Sequence, residues 1–265
     1  MMSGHDNQKM SAQDLSEDEI VKLFNLAKAK GLKRKNKAKT EVIQPVPRSP
    51  EGEPLALAQR RIWFLSEQEQ SASEAYIING AFRLQGQIDV ASLRATLDLL
   101  VRRHESLRTY FSHQDGQPWQ QIMPEDVGFP PTEVEATDVD LTVPYLPRFD
   151  LSTGPLACGE LVRIQENEHV LRIALHHAIA DGWSMSVIIR EVGVLYDALC
   201  RGVPNPLPVL PIQFADYAHW QQTLPDSELQ RQRDFWIEQL SDAPERLTLM
   251  TDFPRPAVQN HAGES

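Results

Sequence analysis

His176 and His177 stand side by side, with an acid at Asp181 and a glycine at Gly182. An imidazole of unperturbed pKa about 6.5 accepts a proton at neutral pH. Placed beside a bound thioester or ester, it could deprotonate or orient an incoming amine or hydroxyl. Gly182 would let backbone approach closely, and its amide could sit near a developing oxyanion. Asp181 either faces His177 across a turn or turns away to pair with an arginine. The chain holds no Gly-x-Ser-x-Gly elbow, so direct transfer between bound donor and bound acceptor suits it better than a covalent acyl-enzyme. A metal site would need more than the two or three ligands visible here, and the His-Glu-x-x-His helical signature is absent. His104, beside Glu105, reads as structural, and His113, His169 and His219 sit in surface-like contexts.

The elements on either side must position the pair. Leu171, Ile173 and Leu175 share one face of a predicted strand, because side chains alternate with period two. Continued, that parity puts His177 on their face and His176 on the other, so His177 is the candidate for chemistry and His176 for a buried structural role. After Gly182, Ser184 is positioned to cap a helix carrying Ile188, Val192, Leu195 and Leu199. Upstream, 55–65 has apolar residues at helical spacing and 76–84 reads as a strand. Asp89 caps a helix with the stripe Val90, Leu93, Leu97, Leu100 and Val101. Strands over 107–112 and 118–123 flank a turn at Asp115-Gly116, and strands over 160–164 and 170–175 flank a polar turn. Residues 124–158 read as irregular surface, with room for one short helix. Two more helices are expected over 211–222 and 227–240. Helices alternating with strands imply an α/β architecture, a mixed sheet covered by helices.

Residues 1–40 differ in character. Ser16 and Glu19 have capping-box spacing ahead of an apolar stripe from Ile20 to Ala27, and seven basic residues lie between Lys28 and Lys39. This reads as a flexible segment with a short helix, a candidate docking element for an acidic partner or else a solvated extension. Residues 41–53 are a proline-rich linker, the globular part spans 54–256, and 257–265 is a polar end with no closing element. Over all 265 residues the net charge of -11 argues against a nucleic-acid binder, whose footprint would be basic. The chain has neither an apolar run of about 20 residues nor the apolar core of a signal peptide, which suggests a cytoplasmic protein without membrane contact. With two cysteines, Cys158 and Cys200, buried thiols are expected rather than a disulfide framework.

His176-His177-Ala178-Ile179-Ala180-Asp181-Gly182 resembles the His-His-x-x-x-Asp-Gly motif of nonribosomal peptide synthetase condensation domains, enzymes of secondary metabolite biosynthesis. Three further motifs resemble that family's in its own order. They are Ala58-Gln59-Arg60-Arg61-Ile62-Trp63-Phe64-Leu65, Arg103-His104-Glu105-Ser106-Leu107-Arg108-Thr109-Tyr110-Phe111 and Phe214-Ala215-Asp216-Tyr217-Ala218-His219-Trp220. The resemblance implies a chloramphenicol acetyltransferase-like subdomain, the N-terminal one of a V-shaped pair with the active site in a tunnel between them. It implies an acyltransferase that joins a donor thioester to an acceptor aminoacyl thioester. Both would ride on phosphopantetheine arms of upstream and downstream peptidyl carrier proteins, with no cofactor bound by the chain itself. His177 would be base or orienter, Gly182 would shape the tunnel floor, and His176 would be structural. Asp181 would be salt-bridged to an arginine, for which Arg108 is the candidate. The residues after Gly182 look more like those of domains that join L-configured donors. Residues 1–40 resemble segments that dock a synthetase subunit onto the one upstream. Only about half of such a domain is covered, so little condensation is expected from this chain alone. A coenzyme A-dependent acyltransferase, an epimerisation relative and a carrier-binding module without chemistry remain the alternatives.

Overall fold

A computed structural model describes residues 42–68, 70–114, 116–129, 131–138, 140–141, 143–244, 250 and 252–254. The expected docking helix, the basic run and the polar end therefore lie outside the described residues. The chain divides after Val42, and the described helices and strands all belong to the unit Ile43–Ser265.

The central element is β7 (Glu168–His176), whose residues from His169 to His176 are all buried. It pairs antiparallel with β2 (Ile77–Gln85) on one side and with β6 (Ala157–Gln165) on the other. A short β5 (Thr132–Glu135) adds parallel to β6, giving the order β2-β7-β6-β5. A second sheet, β1-β4-β3, joins β1 (Glu53–Pro54) to the hairpin of β3 (Thr109–Gln114) and β4 (Gln117–Ile122). Gly116 at the hairpin tip has φ 73°, a conformation a side chain would strain.

Helix α1 (Leu57–Gln68) and the short α2 (Gln70–Ala75) lead into β2. Helix α3 (Val90–Arg103) starts as its sequence predicts: the Asp89 carboxylate accepts from the amides of Ala91 and Ser92 at 3.0 and 3.2 Å. Its buried stripe of Leu93, Leu97, Leu100 and Val101 packs with Ile188 and Leu195 of α4 (Gly182–Cys200) on Leu171, Ile173 and Leu175 of β7. The face of β7 that carries Arg172 and His176 is covered instead by the 143–149 segment, from which Tyr145 lies under the Arg172 guanidinium and Phe149 edges His176. Burial on both faces is why β7 reads as an almost unbroken apolar run.

Helices α5 (Phe214–Gln222) and α6 (Asp226–Gln239) follow. Polar contacts fix α5 against residues 48–53, part of the stretch expected to be a linker: Asp216 takes Arg48 at 2.7 Å, and His219 pairs with the buried Glu53 carboxylate. His104 and Arg103 likewise share Glu191 of α4, at 2.6 and 3.2 Å, which ties the end of α3 to α4. Along α6 the side chains of Phe235, Trp236 and Ile237 are 52–64% exposed, as is Leu240 just beyond it.

Several expectations change. Residues 124–158 contain β5, a four-residue strand whose two glutamates hid its alternation. His169 is buried, and His219 is paired with a buried acid. Cys158 is half-buried but Cys200 is exposed, and both thiols are free. Asp181, not Ser184, is the N-cap of α4.

Leu97 has no exposed surface and sits at the α3–α4–sheet junction. Leu97→Ala is expected to cost about 3 kcal/mol through lost transfer energy and a residual cavity. Chemical denaturation of the full chain measures it, and a loss under about 1 kcal/mol would mean the core is not packed this way.

Candidate active site

The strand β7 stops at His176, and the next residues make the turn that delivers α4. His176 has no exposed surface. Its Nδ1 accepts the Ala178 amide N–H at 3.1 Å, and its Nε2 lies 3.2 Å from Ser73 Oγ on α2. An Nδ1 that accepts a backbone amide carries no proton, so the ring is the Nε2–H tautomer, with that proton directed at Ser73. Burial pushes the His176 pKa down to about 4; the neighbouring His177 adds to this, and bonding to Ser73 opposes it.

His177 lies one residue past the strand and is exposed. Its amide donates to Tyr76 O at 2.7 Å, and its ring meets that of Tyr76 edge-on, centroids 6.3 Å apart. The backbone is fastened while the imidazole projects outward. Such a group can reach the proton of a ligand amine from a fixed origin.

The Asp181 carboxylate accepts from Ser184 N at 2.8 Å and from Ser184 Oγ at 2.7 Å, and Ser184 Oγ accepts from the Asp181 amide at 3.1 Å. These contacts close a reciprocal capping box on α4. The Ser184 hydroxyl, then its amide, hold the Asp181 pKa below the usual carboxylate range, with a smaller contribution from His177. The expected Asp181–Arg108 salt bridge is not formed. Arg108 donates to Met123 O and lies 3.9 Å from Glu105 Oε1, so both groups are committed to separate local tasks.

Gly182 is the first residue of α4, and a Cβ built on it meets nothing within 4 Å. Its φ also lies outside the positive region, so among the described residues neither packing nor conformation demands a glycine here. Trp183 beside it is 78% exposed. One turn thus gathers His176, His177, Asp181 and Gly182, and leaves Arg108 to another element. Sequence reasoning missed Ser73, Tyr76 and Gln59 as parts of this site. Only Gln59 left a signal, as a polar residue in an apolar helical stretch. Among the described residues no three His, Cys, Asp or Glu side chains gather as metal ligands, and no helix is long and apolar enough to cross a membrane.

Comparison with known proteins gives the family and the fold. The family model "Condensation domain" matches residues 51–265, and the chain belongs to that family, whose fold is the chloramphenicol acetyltransferase-like one. It is 39% identical over 232 residues to malpibaldin synthetase of Mortierella alpina, covering 83% of this chain but 4% of that protein. Among solved structures it is similar to the X-domain from teicoplanin biosynthesis, with 33% identity and a TM-score of 0.69, over 82% of this chain and 49% of the other. That X-domain has also been solved in complex with OxyB. The starter condensation domain of rhizomide synthetase shares the fold at a TM-score of 0.61 and 21% identity, over 73% of this chain and 49% of that domain. The chain therefore spans about half of the solved domains it resembles.

The low folded-state pKa of His176 links stability to pH. Between about pH 4 and 6.5 the unfolded imidazole is protonated and the folded one is not. Its stabilising contribution is complete above pH 6.5 and is lost as pH falls toward 4. Denaturant midpoints taken from pH 7.5 to 4.5 are expected to fall more steeply for the natural chain than for His176→Asn. The gap should approach the one-proton slope of about 1.4 kcal/mol per pH unit. Equal slopes would show that His176 is not held neutral.

Proposed function

We propose that residues 54–256 are the N-terminal subdomain of a condensation domain, and that the complete domain makes peptide bonds in nonribosomal peptide synthesis. The observation that carries this reading is the exposed His177 imidazole on a fastened backbone at the end of the central strand, in a chain of this family. The acceptor amine attacks the donor thioester carbonyl, a C–N bond forms, the C–S bond breaks, and the amine proton ends on the departing thiol. His177 serves this step either by taking the proton or by holding the amine through its lone pair. Both thioesters arrive on phosphopantetheine arms of carrier proteins, so the arms enter as parts of the substrates. Gly182 leaves room for an arm or the opposite tunnel wall at α4's first residue. Asp181 acts at a distance, through the start of that helix.

Two observations support a half-domain. The chain covers about half of the related structures, and the apolar Phe235, Trp236 and Leu240 side chains stand exposed close together at the end of α6. A second subdomain over that face would bury them and supply the other tunnel wall, which excludes water and completes substrate binding. Residues 1–40 fit, by sequence, a docking segment for an upstream synthetase subunit. A second reading, a binding module without chemistry, draws support from the related X-domain, which is seen in complex with OxyB.

The test mixes donor-loaded and acceptor-loaded carrier proteins with this chain, with and without the domain's second half, and reads product by mass spectrometry. Product is expected only with the second half, and is expected to vanish in His177→Ala. Gly182→Ala should also abolish product while leaving stability within about 0.5 kcal/mol, since its Cβ meets nothing among the described residues. Carrier binding without product in every mixture would replace condensation by the binding-module reading.

A further inference from the structure

We propose that Gln59 of the opening helix is a positioning residue for His177, acting through the carbonyl of Ala178. Gln59 is 4% exposed and makes three hydrogen bonds through its amide, one accepted and two donated. Its Oε1 accepts the Ala56 amide at 3.0 Å, which sets the orientation of the group. The Nε2 end then donates to Gln120 Oε1 and to Ala178 O, each at 3.3 Å. Gln120 is itself held, since its Nε2 donates to Pro54 O at 2.6 Å. The anchor is therefore built from α1, β1 and β4, elements distant in sequence from the turn.

The geometry around His177 shows why this matters. On the entry side, the His177 amide is tied to Tyr76 O. On the exit side, the Ala178 amide is tied to His176 Nδ1 and the Ile179 amide to His176 O, and both of those contacts are internal to the turn. They fix the turn's shape, and packing of the buried Ala178 and Ile179 side chains seats it in the core, but neither supplies a polar attachment to the elements on this side. The Gln59 bond to Ala178 O supplies that attachment through a different element. Without it a buried carbonyl loses its donor, and the turn can shift as a unit, carrying the His177 origin with it.

The proposal rests on His177 being the acting residue only for its kinetic arm. Two variants separate shape from bonding: Gln59→Met keeps approximate volume and removes every hydrogen bond, and Gln59→Glu keeps shape but turns acceptors toward two acceptors. Hydrogen exchange on the full chain is expected to show protection at Ala178 and Ile179 falling at least about tenfold in both. Amides of Ile173 and Leu161 should be unaffected. With the second half supplied, kcat is expected to fall about tenfold to a hundredfold, with KM within about twofold and the shape of the pH profile kept. Unchanged protection at Ala178 and Ile179 overturns the proposal, whether or not activity falls. If the natural chain makes no product even with the second half supplied, the condensation reading fails while the exchange result still decides this one. Should Gln59→Glu lose protection throughout the sheet, Gln59→Met alone decides it.

Discussion

A buried imidazole with both nitrogens engaged cannot change charge or tautomer without breaking contacts, and the site depends on one such group. His176 is enclosed by Ser73, Phe149 and the Ala178 amide at the point where the central strand ends. Strand termination in a core normally strands backbone donors and acceptors. Here the His176 ring absorbs one, its carbonyl takes the Ile179 amide, and Leu156 O takes its own amide. The chain can therefore leave the sheet abruptly. His177 emerges at the surface one residue after a side chain with no exposed area. The adjacent pair is a way of passing from full burial to exposure in one step, with the first ring giving the second a fixed base.

The next constraint is the start of α4. An acid at the N-cap is favoured by the unpaired amides and by the helix dipole, and Asp181 meets both through Ser184. The same carboxylate thereby fixes the direction in which the helix leaves the turn. A salt bridge to Arg108 would have competed for those oxygens. The capping box is local and cheap in chain entropy, and the distant arginine already has Met123 O and Glu105 beside it. Asp181 thus holds the start of α4 through Ser184, a different partner from the arginine the family resemblance suggested.

What was legible in the sequence was what local pattern encodes. The Asp89 cap, the α3 stripe, the hairpin around Gly116 and the alternation along β7 are all short-range signals, and each lies where its spacing puts it. The histidine pair was legible for the same reason, because a polar pair at the end of an apolar run breaks the period. The missed features are long-range pairings. Glu53 meets His219, Gln59 meets Ala178 and Ser73 meets His176 across 166, 119 and 103 residues, and no window along the chain contains both partners. β5 failed differently: it is an edge strand of four residues, too short and too charged to show an alternation.

Residues near the site also differ in what requires them. His176, Asp181 and Gln59 are each explained by bonds within this chain, so their types follow from folding alone. His177 and Gly182 are not. The first spends an ionisable side chain on open surface, and the second leaves empty a Cβ position at a helix start, where alanine would be the better helix former. Among the described residues His177 meets only the Tyr76 ring edge and nothing packs on the Gly182 Cβ position, and the proposed condensation step would use both features. A thioester arm and the opposing wall of a tunnel would need both features at once: a lone pair on a fixed origin, and a gap beside it.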